Sequence, residues 1–285
     1  MIKEKIMEKI GISLSAGLLS GCLSNEINTL WLQEYGSVKE MLSLFGREGI
    51  YSIEIRDCYG PYTGDQLIQA VHRVHEAGLR VTLHLKFNGE TGAAYLNRFR
   101  DMLAAAAEGQ EQVPLTVHPD GNAEKTILQY RDWYEAFSGS DGRLRLVLEN
   151  NRVKKTEDSF MSIRPVSEII REAEPENGGI CWDMGHYAWN LNKAGDDLNT
   201  LPGEEILSRV LHTHIHGRSL ENGRTHFPLG FRNEPAEGYV RALKKAGYHA
   251  IYNLELSPER FLYCCTPREG LETSLSQLKA FLNNT

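Results

Sequence analysis

Short apolar runs that stop at an acid or a histidine recur along this chain at nearly constant spacing, and this recurrence restricts the fold more than any other feature. The residues that close these runs are Glu54, His84, His118, Glu149, Asp183, His214 and Glu255, separated by 30, 34, 31, 34, 31 and 41 residues. A period near 30 is that of one strand, one helix and their two connections. Strands are predicted over 9–15, 51–56, 79–85, 113–117, 143–149, 210–216 and 249–255, with one more opening at Gly179. Helical apolar spacing fills 38–45, 65–77, 96–107, 123–137, 165–173, 235–246 and 269–282. The stretch from Gly17 to Gly21 reads as a loop. With 41% hydrophobic side chains, 285 residues suffice to enclose one large core. Eight strands alternating with helices, with no Gly/Ser linker and no break in composition, predict an α/β fold. It would be a single (β/α)8 TIM barrel spanning residues 1–285, rather than an open sheet.

Charge and composition narrow the partners. Lys and Arg number 31 against 38 Asp and Glu, a net charge of −7, so no broad cationic surface is available to draw in a polyanion, and nucleic acid is not an expected partner. The first nine residues mix charges into their apolar positions, and no later run approaches membrane-spanning length. The chain is therefore expected in the cytoplasm and away from membranes. Five cysteines, without a Cys-x-x-Cys pair, predict free thiols. No Gly-x-Gly-x-x-Gly follows any strand, so dinucleotide binding is not indicated.

In a barrel, the C-terminal ends of the strands converge on one mouth, and residues distant in sequence meet there. Ionisable groups at apolar strand ends are costly unless something at that mouth pairs with them. The stretch Gly179-Ile180-Cys181-Trp182-Asp183-Met184-Gly185-His186 is the most telling of them. Asp183 closes the strand, Gly185 allows a sharp turn, and His186 can swing back toward the carboxylate. The plainer alternative is an Asp that caps the next helix. Glu149, Asp183, His214 and Glu255 together would form a mixed oxygen and nitrogen cage for one divalent cation, suited to manganese, zinc or cobalt and less to magnesium. Strand alternation puts His212, His214 and His216 on one face, so either neighbour could replace or back His214 as the ligand. Lys86 and Arg218 are candidate binders of an anionic substrate end. Glu54 is either a substrate contact or an ion-pair partner. Tyr59, Tyr62, Phe87 and Trp189 are candidate walls of a sugar pocket.

The ordered set Leu148-Glu149-Asn150, Trp182-Asp183-Met184-Gly185-His186, His212-Thr213-His214-Ile215-His216 and Leu254-Glu255 resembles the xylose-isomerase-like TIM barrels. That superfamily contains sugar isomerases and epimerases as well as abasic-site endonucleases. The resemblance implies one catalytic metal held by Glu149, Asp183, His214 and Glu255, with His186 touching substrate. The leading expectation is a metal-dependent isomerase or epimerase of a small sugar or polyhydroxylated ketone, with homo-oligomerisation left open. The metal would chelate a carbonyl and its neighbouring hydroxyl to stabilise an enediolate, while Glu149 and Glu255 move the proton. The endonuclease branch implies further metal ligands, which would here be His84, His118, His216 and His226, and makes a multi-zinc phosphodiesterase the alternative. Two positions depart from the patterns. Arg224 stands where that branch has a metal-binding Asp, and Arg232 where the isomerases commonly have Gly.

Overall fold

The computed structural model describes residues 8–22, 26–58, 60–174, 176–219, 224–230 and 235–283. Its strands are β1 (Lys9–Ser15), β2 (Ser52–Arg56), β3 (Arg80–His84), β4 (Val113–Val117), β5 (Leu144–Glu149), β6 (Gly179–Asp183), β7 (Val210–Ile215), β8 (Gly217–Arg218), β9 (Thr225–Phe227) and β10 (Ile251–Leu254). Eight of them close a parallel barrel in the order β1-β10-β7-β6-β5-β4-β3-β2, while β8 and β9 form a small antiparallel hairpin beyond the end of β7. The predicted single barrel is the observed architecture.

Each helix turns an apolar stripe onto the barrel. In Gly64–Glu76 the buried residues are Leu67, Ala70, Val71 and Val74, and the start is fixed by a reciprocal cap in which Thr63 and Gln66 each bond the other's backbone N–H. Among the described residues no helix is long and apolar enough to cross a membrane.

Among the described residues four α-helices depart from the sequence reading, one of them the single turn Glu204–Leu207. Residues Ala16–Ser20 are helical rather than a loop, since Ser15 Oγ accepts from the Leu18 N–H and Gly21, at φ 81°, closes the turn. Glu26–Tyr35 is a second helix whose apolar spacing is too weak to stand out. Met184–Ala194 begins directly at Asp183, so the strand and its helix share one residue as end and cap. Gly185 lies inside this helix and makes no sharp turn; any Cβ there would collide with the His216 ring.

Register places the ionisable strand ends beside one another. Between β6 and β7, Ile180 pairs with Val210 but Cys181 pairs with His212, so Leu211 is an extra residue on β7 and Asp183 comes opposite His214. Gly179 leaves the room that the Leu211 side chain fills. On the other side of β7, His214 pairs with Asn253, and the Glu255 N–H bonds the Ile215 carbonyl.

Candidate metal centre at the barrel mouth

Glu149, Asp183, His214 and Glu255 each present one ligand atom, and these atoms all lie within 4.8 Å of one another. None of the four residues is more than 4% exposed. His214 Nδ1 stands 3.2 Å from both Glu149 Oε2 and Glu255 Oε2. Glu149 Oε1, His214 Nδ1 and Glu255 Oε2 are buried without any hydrogen bond. Polar atoms orphaned in a protein interior cost about 1–3 kcal/mol each. His214 Nδ1 and Glu255 Oε2, orphaned 3.2 Å apart among the ligand atoms of Glu149 and Asp183, fit a cation, because a cation would satisfy both together. Carboxylate oxygens with one imidazole match the donor set of zinc, manganese or cobalt.

The deeper layer orients this cage. Glu54 is fully buried inside the barrel, where its Oε2 accepts from His212 Nε2 at 3.1 Å and from His214 Nε2 at 3.0 Å, while Ser13 Oγ donates to its Oε1 at 2.7 Å. Holding the proton of His214 on Nε2 turns Nδ1 toward the cage as a lone-pair donor. Of the two roles expected for Glu54, substrate contact is excluded by this burial, and pairing is what the geometry displays. His212 sits with Glu54 below the cage. His216 sits above it, with Nε2 3.1 Å from Asp183 Oδ2 and Nδ1 accepting from the His226 N–H at 2.9 Å. Asn150, unremarked from sequence beyond its place in a motif, clamps Asp183 by bonding both its N–H and its carbonyl at 2.9 Å.

Among the described residues four further groups adjoin the cage; Glu54, His84 and His214 form one below it, and Glu149, Cys181 and His214 another. His84, His118 and Glu149 bring ligand atoms within 4.8 Å of one another, with His118 Nε2 2.9 Å and His84 Nε2 3.4 Å from Glu149 Oε2. Asp183, His186, His216 and His226 do the same on the other side. His226 is held at φ 63°, a strained conformation for a residue with a Cβ, and its Nδ1 lies 3.3 Å from Glu255 Oε2. His186 Nδ1 lies 3.0 Å from Asp183 Oδ2, and its Nε2 is another buried orphan. The Asp183 side chain also accepts from the His186 N–H, so it caps the following helix and faces the cage at once.

A cavity of about 210 Å³ opens over the cage, with His84, His118, Glu149, His186, His226 and Glu255 on its floor. This is smaller than the roughly 300–1,000 Å³ of pockets that take drug-sized ligands. A larger cavity of about 610 Å³ lies outside the barrel between the helices Ile163–Ala173 and Met184–Ala194, away from these groups. The cations beside the mouth cavity are Arg56, Arg152 and Arg260, which sequence reasoning did not single out. Lys86, which is exposed, and Arg218, which is paired across the hairpin with Thr225, do not line it. Nor do the expected aromatic walls. Phe87 packs edge-on against Trp133 at 5.0 Å, Trp189 lies under Lys193, and Tyr62 packs on the core. Tyr59 and Arg232 lie outside the described residues.

The electrostatics keep the carboxylates of the cage in ligand form. Burial alone would raise the carboxyls of Glu149 and Glu255, but the imidazoles around them, His118 and His214 for Glu149 and His214 and His226 for Glu255, hold both well below the usual carboxylate range. Asp183 is lowered in the same way, against its burial, by His186 and His216. Burial would lower His214, yet Cys181 first and then Glu54, Glu255 and Glu149 raise it well above its ordinary 6.5. Burial and the neighbouring His216 depress His226 to about 3. The metal-free protein therefore carries a proton on His214 at pH 7, whereas its carboxylates are already ionised. Loading with zinc at pH 7 is expected to release about one proton per ion, and affinity should rise as pH rises from 5 toward 7. Titration calorimetry in buffers of unequal ionisation enthalpy measures this directly; zinc uptake at pH 7 with no proton released would contradict it.

The family model for xylose isomerase-like TIM barrels matches residues 46–281. Solved structures share the fold at low identity. A sugar phosphate isomerase/epimerase from Parabacteroides distasonis has a TM-score of 0.62 at 14% identity, covering 98% of this chain and 96% of its own. An IolI protein with a bound zinc atom has 0.58 at 16%, covering 98% and 99%. An AP endonuclease of family 2 from Brucella melitensis has 0.56 at 11%, covering 93% and 97%. No curated protein sequence matches the chain. Because that family model runs across most of a closed eight-stranded barrel, this chain belongs to the xylose isomerase-like TIM barrel family.

Proposed function

We propose that the protein is a divalent-metal-dependent isomerase or epimerase of a small sugar or polyhydroxylated ketone. The observation that carries this reading is the gathering of ligand atoms from Glu149, Asp183, His214 and Glu255 within 4.8 Å of one another, with His214 Nδ1 and Glu255 Oε2 orphaned, beneath a cavity of about 210 Å³. Glu149, Asp183, His214 and Glu255 would hold the cation. When bound, it would supply Lewis-acid stabilisation for negative charge developing on a substrate oxygen. Glu149 and Glu255, on strands β5 and just past β10, are held as carboxylates, so either is ready to take the proton next to a carbonyl, and the one that takes it, then a carboxylic acid, would give it back. His186, which lines the cavity and whose Nε2 is unpartnered, would hold a substrate hydroxyl. Burial of all three groups excludes bulk water from the proton in transit. The likeness to the sugar phosphate isomerase/epimerase and to the zinc-bearing IolI protein agrees with this reading.

One observation favours a second reading. His84, His118 and Glu149 would hold a further cation beside the first, as a two-metal phosphodiesterase requires, and the AP endonuclease relative shares the fold. The chain's net charge of −7 and the exposed Arg224 in place of an acid weigh against it. The deciding experiment is metal analysis followed by two activity panels. Proton exchange from a ketose or inosose into deuterated water, abolished in Glu255→Gln, is the expected result. Nicking of an abasic oligonucleotide by protein carrying two or more zinc ions per chain, without such exchange, would overturn it.

A further inference from the structure

The metal cavity has an unusual rim. Arg56, Arg152 and Arg260 reach it from three segments, the end of β2, the loop after β5 and the turn after β10, and all three guanidinium groups line the same small space. Acids explain only part of their placement: Glu255, Asp57, Glu259 and Glu54 raise Arg56 against its burial, while Glu259 and Glu255 act on Arg260 without outweighing its burial. Among the described residues neither Arg152 nor Arg260 makes an ion pair, and Arg56 reaches only Glu255 Oε1, at a long 3.4 Å. Glu255 is itself a ligand of the proposed cage, so a cation there competes for its charge. Arg260 is fixed in place by two bonds from Nη1 to the Thr225 carbonyl and hydroxyl, both 3.0 Å, and Thr225 is fully buried. The Nε atoms of Arg56 and Arg152 are buried without a hydrogen bond. Arg260 is lowered below the ordinary guanidinium range by burial and then by the repulsion of Arg152.

Like charges gathered around a cavity, with donors left unsatisfied, are stabilised by an anion. Guanidinium forks match the oxygens of a phosphate group in both geometry and charge. We propose that Arg152 and Arg260, with Arg56 beside them, form a phosphate-binding subsite on the rim of the metal cavity, so that the substrate is the phosphate monoester of a small polyhydroxylated carbonyl compound. This rests on the isomerase reading for the rest of the substrate but not for the anion site itself.

The test is equilibrium binding of inorganic phosphate to the metal-loaded, full-length protein. One phosphate per chain is expected to bind saturably, about tenfold or more weaker in Arg152→Gln and in Arg260→Gln, at unchanged metal content. Acetate at equal concentration should not displace it. Should the variants fail to fold, the wild-type protein still decides. Phosphate should slow phenylglyoxal modification of Arg152 and Arg260, but not of Arg171 on an outer helix, as read by peptide mapping. Unchanged affinity in both variants, displacement by acetate, or no protection of either arginine would overturn the subsite. Phosphate held by these arginines without proton exchange from any ketose phosphate would sink the isomerase reading alone. Turnover of an uncharged ketose by a protein that binds no phosphate would sink the subsite alone.

Discussion

Glu149→Gln is expected to strip metal and turnover from the protein together, because one carboxylate serves two groups of ligands. Its oxygens face His118 at 2.9 Å, His214 at 3.2 Å, His84 at 3.4 Å and His186 at 3.6 Å, in a fully buried setting. Glutamine preserves the shape and removes the charge. Deleting one partner of a buried ionic arrangement costs about 3–5 kcal/mol, which corresponds to about a hundredfold to several thousandfold in metal affinity. Metal content after dialysis should fall to a small fraction of the wild-type value, and proton exchange should become undetectable. Wild-type metal content in this variant would show that the cage lies elsewhere.

Gly185→Ala should weaken the same site, though by less, from a position that holds no ligand atom. The added Cβ would enter the space of the His216 ring, which is pinned between Asp183 and the His226 backbone and lies 4.2 Å from the His226 ring, tilted by 31°. Overpacking of this kind costs about 1–3 kcal/mol, a fall of roughly 2–8 °C in Tm. Loss of the hydrogen bond behind a metal ligand weakens metal binding by about 10- to 100-fold. The pair can be tested as a cycle. In a His216→Ala background the same Gly185→Ala change should be neutral or stabilising, because alanine is favoured over glycine inside a helix by up to about 1 kcal/mol. Equal losses in both backgrounds would mean that crowding of His216 is not the reason for the glycine.

Much of the scaffold was readable because strand and helix periods differ and the chain repeats them. The strands Lys9–Ser15 and Val113–Val117 match their predicted bounds to the residue, and the closing helix Pro267–Asn283 extends the predicted 269–282 by two residues and one. Short helices escaped the pattern. Ala16–Ser20 is too brief to show a period, and the Met184–Ala194 helix starts on the residue that ends its strand, so no loop announces it. Candidate ligands were legible for a related reason, since a charged residue closing an apolar strand is conspicuous. The cations at the mouth were not. Arg56 is the last residue of β2 and could have been suspected, but Arg152 lies in an irregular loop and Arg260 in a single turn of 3-10 helix, where no period says which way a side chain points.

By itself the sequence determined the barrel, its strand ends and the inward parity of the three histidines on β7, because all of these follow from local periodicity. Only the tertiary structure decided which histidine meets the acids. The extra residue Leu211, accommodated over Gly179, slides β7 by one position against β6, so that His214 stands opposite Asp183 while His212 drops to Glu54 and His216 rises behind Asp183. Parity repeats every two residues and cannot distinguish among three histidines spaced by two. That choice is made by packing between strands, which the linear pattern does not encode.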